Sequence, residues 1–99
     1  MTETIELVTF RLATGDAKSF VAANTMINDW LKEQPGFISR RLGQKDDGSW
    51  IDVLLWASND AAKTAGAKAM AELSDCPAMA MISPSEDMMA HAPVAVSIG

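Results

Sequence analysis

Cysteine and histidine are scarce in this chain, with one of each in 99 residues. The single Cys76 cannot form an internal disulfide, which fits a reducing compartment. One histidine, one cysteine and no carboxylate cluster at ligand spacing predict that the protein holds no metal. The glycines do not form a phosphate-binding pattern. These shortages exclude several common kinds of site.

Basic residues and long apolar runs are also few. Eight Lys and Arg stand against 13 Asp and Glu, for a net charge of −5, so the basic surface that nucleic acid requires is missing. No apolar stretch approaches the roughly 20 residues of a membrane span. The first residues show no basic and apolar signal pattern, so we expect a cytoplasmic protein. With 48% hydrophobic residues, the chain is predicted to be one globular domain, residues 1–99.

The order of predicted elements defines a fold class. Alternating or β-prone segments predict strands, and apolar positions at helical spacing predict helices. The predicted strands and helices lie at 3–12 (strand), 17–34 (helix), 37–56 (two strands), 60–73 (helix), 75–83 (a short helical turn) and 86–98 (strand). Pro93 makes the last one an edge or bulged strand. The order β-α-β-β-α-β is that of an α+β, ferredoxin-like fold.

The central hairpin holds the most informative residues. Asp47-Gly48 predicts a two-residue turn, which would place Leu42 opposite Val53. One face would then carry Trp50, Asp52 and Trp56 together with Arg41. Two large aromatic residues beside a buriable ion pair are unusual for a solvent face, so we expect function there.

The other face of the hairpin predicts self-association. It would carry the apolar residues Ile38, Leu42, Ile51, Val53 and Leu55. Whichever face the helices leave bare exposes too much apolar surface for a monomer. We therefore expect a two-fold homodimer through the open sheet face. The β-prone segment 94–98, beyond Pro93, is expected to join the subunits because it would otherwise be an uncovered edge.

A family resemblance rests on three segments of the chain. The segments Pro35-Gly36-Phe37, Gly48-Ser49-Trp50-Ile51-Asp52-Val53 and Trp56-Ala57-Ser58 resemble the antibiotic biosynthesis monooxygenase family. The resemblance implies a ferredoxin-like sheet that pairs with a second subunit to form a dimeric α/β barrel. The related proteins include cofactor-independent oxygenases, haem-degrading enzymes, quinol-oxidising enzymes and proteins without known activity, so the fold does not choose the reaction.

The haem-degrading branch fits the sequence poorly. That branch pairs a strand asparagine and a tryptophan with a helical histidine. This chain has Thr9 on the first strand, and His91 lies on the predicted last strand. We therefore expect no haem and no other cofactor.

Two residues are predicted to be catalytic. His91 is the one side chain whose ordinary pKa lies near neutrality, so it could take a proton from a phenolic substrate; a hydrogen bond at a pocket rim explains it too. Trp56 could stack on a flat ring, since the resemblance places its tryptophan in the cavity; ordinary packing is the alternative.

Five further residues are predicted to bind substrate. Asp52 and Arg41 could pair and orient a polar group, although a purely structural role explains them somewhat better. Asn24 is expected to face the sheet, where a buried amide needs a partner, and a core hydrogen bond explains it equally well. Trp50 could add to an aromatic floor, although packing explains it better. Met88 belongs to a methionine-rich C-terminal third that could line a lipophilic pocket or fill the core.

These expectations lead to two candidate functions. The first is a cofactor-independent monooxygenase acting on a small aromatic or quinone-like substrate, with Trp56 stacking on the ring and Arg41 or Asn24 stabilising oxyanion charge. The alternative is a non-catalytic dimer that binds or senses a small hydrophobic or aromatic ligand.

Overall fold

The strands and helices follow the predicted order. The computed structural model describes residues 2–83 and 88–99. Its elements are β1 (Thr4–Phe10), α1 (Ala17–Ala23), α2 (Thr25–Lys32), β2 (Phe37–Gln44), β3 (Trp50–Trp56), α3 (Asn59–Glu72), α4 (Pro77–Met81) and β4 (Met88–Pro93).

The four strands form one antiparallel sheet in the order β2-β3-β1-β4. Burial alternates along β3, where Trp50, Asp52, Leu54 and Trp56 are buried and the residues between them are more exposed. This alternation arises because successive side chains of a strand point to opposite faces. The Trp50 face packs on the helices and forms the core. The ferredoxin-like α+β prediction is confirmed.

The first predicted helix is interrupted at Asn24. The Asn24 N–H bonds back to the carbonyl oxygen of Val21, and the Asn24 side-chain Nδ2 donates to the carbonyl oxygen of Phe20 at 2.8 Å. Asparagine competes with the backbone in this way, because its short amide reaches the preceding turn. The expected helix over 17–34 is therefore two short helices, and Asn24 lies at their junction.

The β2–β3 turn differs from the prediction by one residue. The Lys45 N–H donates to the carbonyl of Ser49 at 2.7 Å, so the loop has three residues, with Gly48 at φ +90° in the last position. This is the pattern of a type I turn followed by a left-handed residue. The Ser49 hydroxyl and N–H both donate to the Asp47 carboxylate, and these hydrogen bonds hold the pKa of Asp47 below its usual value.

The longer loop changes which residues share a face. Leu42 pairs with Asp52 rather than with Val53, and Arg40 pairs with Leu54. A one-residue slip moves every side chain of a strand to the other face. The prediction that Arg41 shares a face with Asp52 was therefore wrong, and Arg40 takes that place.

The last strand is shorter than predicted. It covers Met88–Pro93, and the expected residues 86 and 87 lie outside the described residues. The Val94 N–H still donates to the carbonyl of Glu3 at 2.8 Å, but residues 95–99 are exposed and do not form a strand. Proline lacks the N–H that a ladder needs, which is consistent with a strand that ends at Pro93.

The face of the sheet opposite the helices is largely apolar, although the register places Arg41 there opposite Val53 and moves Leu42, which was predicted for this face, to the core side. Ile5, Leu7 and Val53 are each 37–39% exposed, and Met88 on β4 is 71% exposed. These side chains come from three adjacent strands, since β1 pairs with both β3 and β4. The single chain thus presents the kind of surface on which the homodimer prediction was based, while the dimer itself remains a prediction.

A candidate site between the sheet and the helices

A cavity of about 170 Å³ lies between the helix-facing side of the sheet and the helices. Every helix and every strand contributes to its wall. The polar lining residues are Glu6, Asn24, Arg40 and Asp52. The remaining lining residues are Gly66 and the apolar or aromatic side chains of Val8, Phe10, Phe20, Ile27, Trp30, Leu31, Leu54, Trp56, Ala65, Ala69, Leu73, Met79, Ile82 and Met89. An apolar cleft with few polar groups is the usual form of a small-molecule site.

Trp56 is the most buried aromatic residue of the cavity apart from Phe20. It is 2% exposed, and its ring meets Phe37 edge to face, with the two centroids 5.5 Å apart. Among the described residues, its indole Nε1 has no hydrogen-bond acceptor. A buried donor without a partner costs about 1–3 kcal/mol, and the indole of Trp50 in the core is in the same state.

A buried cluster centred on Arg40 forms the polar part of the wall. The guanidinium donates to both carboxylate oxygens of Asp52, with the shortest distance 2.7 Å from Nη2 to Oδ2. It also donates to Oδ1 of Asn24 and to Oδ1 of Asn28, each at 2.8 Å. The side chains of Arg40 and Asp52 are only 10% and 12% exposed. Such a forked, charge-assisted pair fixes the orientation of both groups.

The fold explains how this cluster forms. Arg40 and Asp52 come from neighbouring strands on the helix-facing side, and Asn24 comes from the junction of α1 and α2 above them. The Asn24 amide donates to Phe20 and accepts from Arg40, so both ends of its side chain are used. Local helix geometry therefore sets where the guanidinium is held.

A second polar pair lies on the β4 side of the sheet. Glu6 of β1 faces His91 of β4 directly across the ladder, and Glu6 Oε1 lies 3.2 Å from His91 Nε2. The Glu6 side chain is 12% exposed and lines the cavity, whereas that of His91 is 27% exposed and does not line it. The histidine therefore contacts a cavity residue and is itself outside the lining.

The structure brings together three of the seven residues predicted from the sequence. Asn24, Asp52 and Trp56 line the cavity, and His91 reaches it only through Glu6. Arg41 is exposed and donates from Nη1 to the carbonyl oxygen of Arg40.

Trp50 and Met88 lie elsewhere. Trp50 packs in the core, stacked parallel to Phe10 and edge to face with Phe20, whose ring centroid is 4.9 Å away. Met88 pairs with Thr9, which places it in the phase of the strand opposite to Met89, a residue that does line the cavity.

Sequence reasoning missed two of the four polar lining residues, namely Glu6 and Arg40. A signal for Glu6 was present, because it alternates in phase with Val8 and Phe10 and a charge among core positions is informative. Arg40 was missed because it depends on the length of the hairpin loop.

Two further features concern the described residues as a whole. Within residues 2–83 and 88–99, no group of three or more His, Cys, Asp or Glu side chains is placed to hold a metal ion. Over the same residues, no helix has the length and apolar character needed to cross a membrane.

Comparison with solved structures relates this fold to known oxygenases. The chain is similar to a mutant form of SnoaB, a cofactor-independent oxygenase from Streptomyces nogalater, with a TM-score of 0.78 and 17% identity over 99% of this chain and 98% of that one. It is also similar to the ActVA-Orf6 monooxygenase of Streptomyces coelicolor in complex with nanaomycin D, with a TM-score of 0.65 and 22% identity over 98% and 91% of the two chains.

A haem-degrading enzyme has the same architecture. MhuD from Mycobacterium tuberculosis, solved with two haems in its active site, matches with a TM-score of 0.76 and 16% identity over 97% and 99% of the chains. No model of a known family and no curated protein matches the sequence. At these identities the comparisons establish the fold, so the resemblance to antibiotic biosynthesis monooxygenases is confirmed at that level.

Proposed function

We propose that this protein is a cofactor-independent monooxygenase whose substrate is a small phenol with one or two fused rings. The observation that carries the proposal is the cavity itself, an aromatic and apolar space with a buried guanidinium in its wall. Its volume of about 170 Å³ is below the ~300–1,000 Å³ of pockets for drug-sized ligands, which favours a compact substrate. The similar structures that are described as an oxygenase and a monooxygenase support the same class of reaction.

Three residues carry the proposed binding mode. Trp56 packs against the ring, and its unpartnered indole N–H donates to a substrate oxygen. Arg40, held by Asp52 and Asn24, takes the role that the sequence had suggested for Arg41, because a fixed cation stabilises the oxyanion as it develops. The dry apolar wall strengthens this electrostatic effect.

The proposed reaction balances without an external reductant. A naphthol loses its O–H proton and becomes a naphtholate, which transfers one electron to dioxygen. The ring radical and superoxide combine at the para carbon, and the peroxide formed there takes up a proton. Loss of the para C–H proton then breaks the O–O bond and releases hydroxide, which is protonated to water. The sum is naphthol plus dioxygen giving naphthoquinone plus water.

The residues do not fit haem. The cavity is below the size of ordinary ligand pockets, and His91, the one histidine of the chain, does not line it. The described residues therefore offer no imidazole in the cavity to hold a haem iron.

The test uses 1-naphthol and an oxygen electrode. We expect oxygen uptake by the native protein and, with ¹⁸O₂, one labelled atom in the quinone. Trp56→Phe should lower the rate about 10²-fold, the usual effect of removing one oxyanion donor. Trp50→Phe is the matched control, since Trp50 is equally buried and does not line the cavity; its rate should stay within about twofold of native, because the lost N–H contacts no substrate.

One observation favours the alternative of a non-catalytic binding protein. The polar groups of the Arg40 cluster are paired with one another, which suits a rigid wall that recognises a ligand without reacting with it. Binding of 1-naphthol, seen as a thermal shift, without oxygen uptake would favour that function. We also propose that the working unit is a homodimer formed through the open sheet face.

A further inference from the structure

We propose that Glu6 is the general base that removes the substrate proton, with His91 as the residue that positions it. The inference rests on the proposed monooxygenase function, which requires a proton acceptor beside the ring. It assigns that step to a residue that the sequence had not suggested.

The location of Glu6 is the first argument. A general base must be within reach of the proton it removes. The charged residues that line the cavity are Glu6, Arg40 and Asp52, and a guanidinium does not accept protons. The choice is therefore between the two carboxylates.

Their hydrogen bonds separate the two. Both oxygens of Asp52 accept from Arg40, at 3.0 and 3.2 Å from Nε and 2.7 Å from Nη2. Protonating Asp52 would break a forked ion pair whose side chains are 10% and 12% exposed, which is costly for a buried pair. Glu6 is in contact with His91 through Oε1 alone among residues 2–83 and 88–99. Its Oε2 is therefore available for a proton.

His91 completes the arrangement. Its position directly opposite Glu6 in the β1–β4 ladder holds the carboxylate from one side, and its side chain is 27% exposed. An imidazole placed between a cavity carboxylate and water can exchange the proton of that carboxyl group with solvent. His91 thus acts through Glu6 and does not touch the ring.

A negative carboxylate and a positive guanidinium in different parts of the cavity wall suit the formation of an enolate. Glu6 takes the proton from one side of the cavity, and the Arg40 cluster stabilises the oxygen on which negative charge develops. A carboxylate can act as a base toward a weak carbon acid when oxyanion stabilisation is provided in this way. In the oxygenase cycle, Glu6 accepts the O–H proton, returns it to the peroxide, accepts the para C–H proton and returns that to hydroxide.

The test separates proton removal from oxygen chemistry. Under argon in D₂O, a two-ring ketone such as 2-tetralone exchanges its acidic C–H protons for deuterium if the cavity contains a base. We expect the native protein to accelerate this exchange, measured by NMR. Glu6→Gln should reduce the acceleration by about 10²–10⁴-fold, while the Kd for 2-tetralone changes by less than about threefold because the shape of the side chain is kept.

Two further variants control for charge and folding. Glu33→Gln makes the same change at an exposed residue outside the cavity lining and should exchange protons like the native protein. Glu6→Asp keeps the carboxylate and should exchange protons faster than Glu6→Gln, and an exchange rate no higher than that of Glu6→Gln would contradict Glu6 as the base.

The outcomes distinguish the two proposals. Native exchange with loss in Glu6→Gln supports Glu6 as the base even if 1-naphthol gives no oxygen uptake, in which case the oxygenase proposal alone fails. Oxygen uptake with equal exchange in native protein and Glu6→Gln overturns the role of Glu6 and leaves the oxygenase. A native protein that does not accelerate exchange also overturns the role of Glu6.

Discussion

Arg40 and Arg41 are neighbours on β2 with opposite environments. The Arg40 side chain is 10% exposed and donates to Asp52, Asn24 and Asn28. Arg41 is exposed and donates to a backbone carbonyl. The same residue type therefore serves two roles one position apart, and the phase of the strand decides between them.

This difference predicts unequal costs of removing the two arginines. Arg40→Met should lower the free energy of unfolding by about 3 kcal/mol or more, because it leaves the buried Asp52 carboxylate without its cation. Arg41→Met, the matched control, should change it by less than about 0.5 kcal/mol, as surface substitutions usually do. Urea unfolding measures both. Equal costs would show that the Arg40 cluster does not stabilise the fold.

For single residues, the sequence predicts which face of a strand a side chain occupies, because side chains alternate along the strand. Asp52 and Trp56 could be placed on the functional face because β3 alternates cleanly and its residues share one phase. Arg40 could not be placed, because its phase relative to β3 depends on whether the loop has two or three residues. The Asp47-Gly48 pair is compatible with either loop length. In the structure the loop has three residues, Asp46, Asp47 and Gly48.

At the scale of elements, the helices were predicted well where their ends carry signals. The α3 N-cap is Ser58, whose Oγ accepts from the Ala61 N–H at 3.1 Å, and Pro77 begins α4. Both agree with the sequence patterns for helix starts. The break at Asn24 was missed because the apolar spacing continues through it, and only the bonds of its side chain reveal the junction.

Gly36 joins the end of the second helix to β2 and packs closely against α3. Its φ is +82°, and a Cβ added there would lie 2.6 Å from Cβ of Ala61 in α3. Its carbonyl also accepts from the Ala57 N–H at 2.7 Å. The Pro35-Gly36-Phe37 segment is therefore fixed by both backbone conformation and close packing.

Replacing Gly36 should destabilise the fold far more than replacing Gly43, a glycine inside β2. We expect Gly36→Ala to lower the free energy of unfolding by about 2 kcal/mol or more, from left-handed strain and overpacking. Gly43→Ala is the control, because its Cβ would meet no atom within 4 Å, and its effect should be within about 0.5 kcal/mol. A small and equal effect in thermal unfolding of both variants would contradict the packing argument.

At the scale of the whole molecule, the two faces of the sheet have different tasks. One face and the helices enclose the cavity, and the other exposes Ile5, Leu7 and Val53 by 37–39% each. An exposed apolar face of this kind marks an interaction surface. The ferredoxin-like fold could be predicted from the order of strands and helices. What covers the open face could not, because it depends on a second molecule, and the periodicity of one chain carries no information about that molecule.

The proposed dimer makes the C-terminal segment the decisive element to remove. Residues 95–99 are exposed beyond β4, with Val96 at 85% and Ile98 at 95%. Their apolar side chains are therefore not buried in the single chain and add little to its stability. If the segment crosses to a partner, deletion of residues 94–99 should raise the dimer Kd at least tenfold, since each ~1.4 kcal/mol of lost burial is a factor of ten. Sedimentation over micromolar concentrations measures the change.

Two substitutions divide the contribution of the sheet face from that of the C-terminal segment. Val53→Lys introduces a charge at the centre of the open face and should dissociate the dimer, because a buried unpaired ammonium is costly. Met70→Lys adds the same charge to α3 at a side chain 82% exposed and should not. If the deletion leaves a dimer of native affinity while Val53→Lys separates it, the sheet face alone joins the subunits. If the native chain sediments as a monomer throughout, the dimer prediction is wrong, and the open face must have another partner.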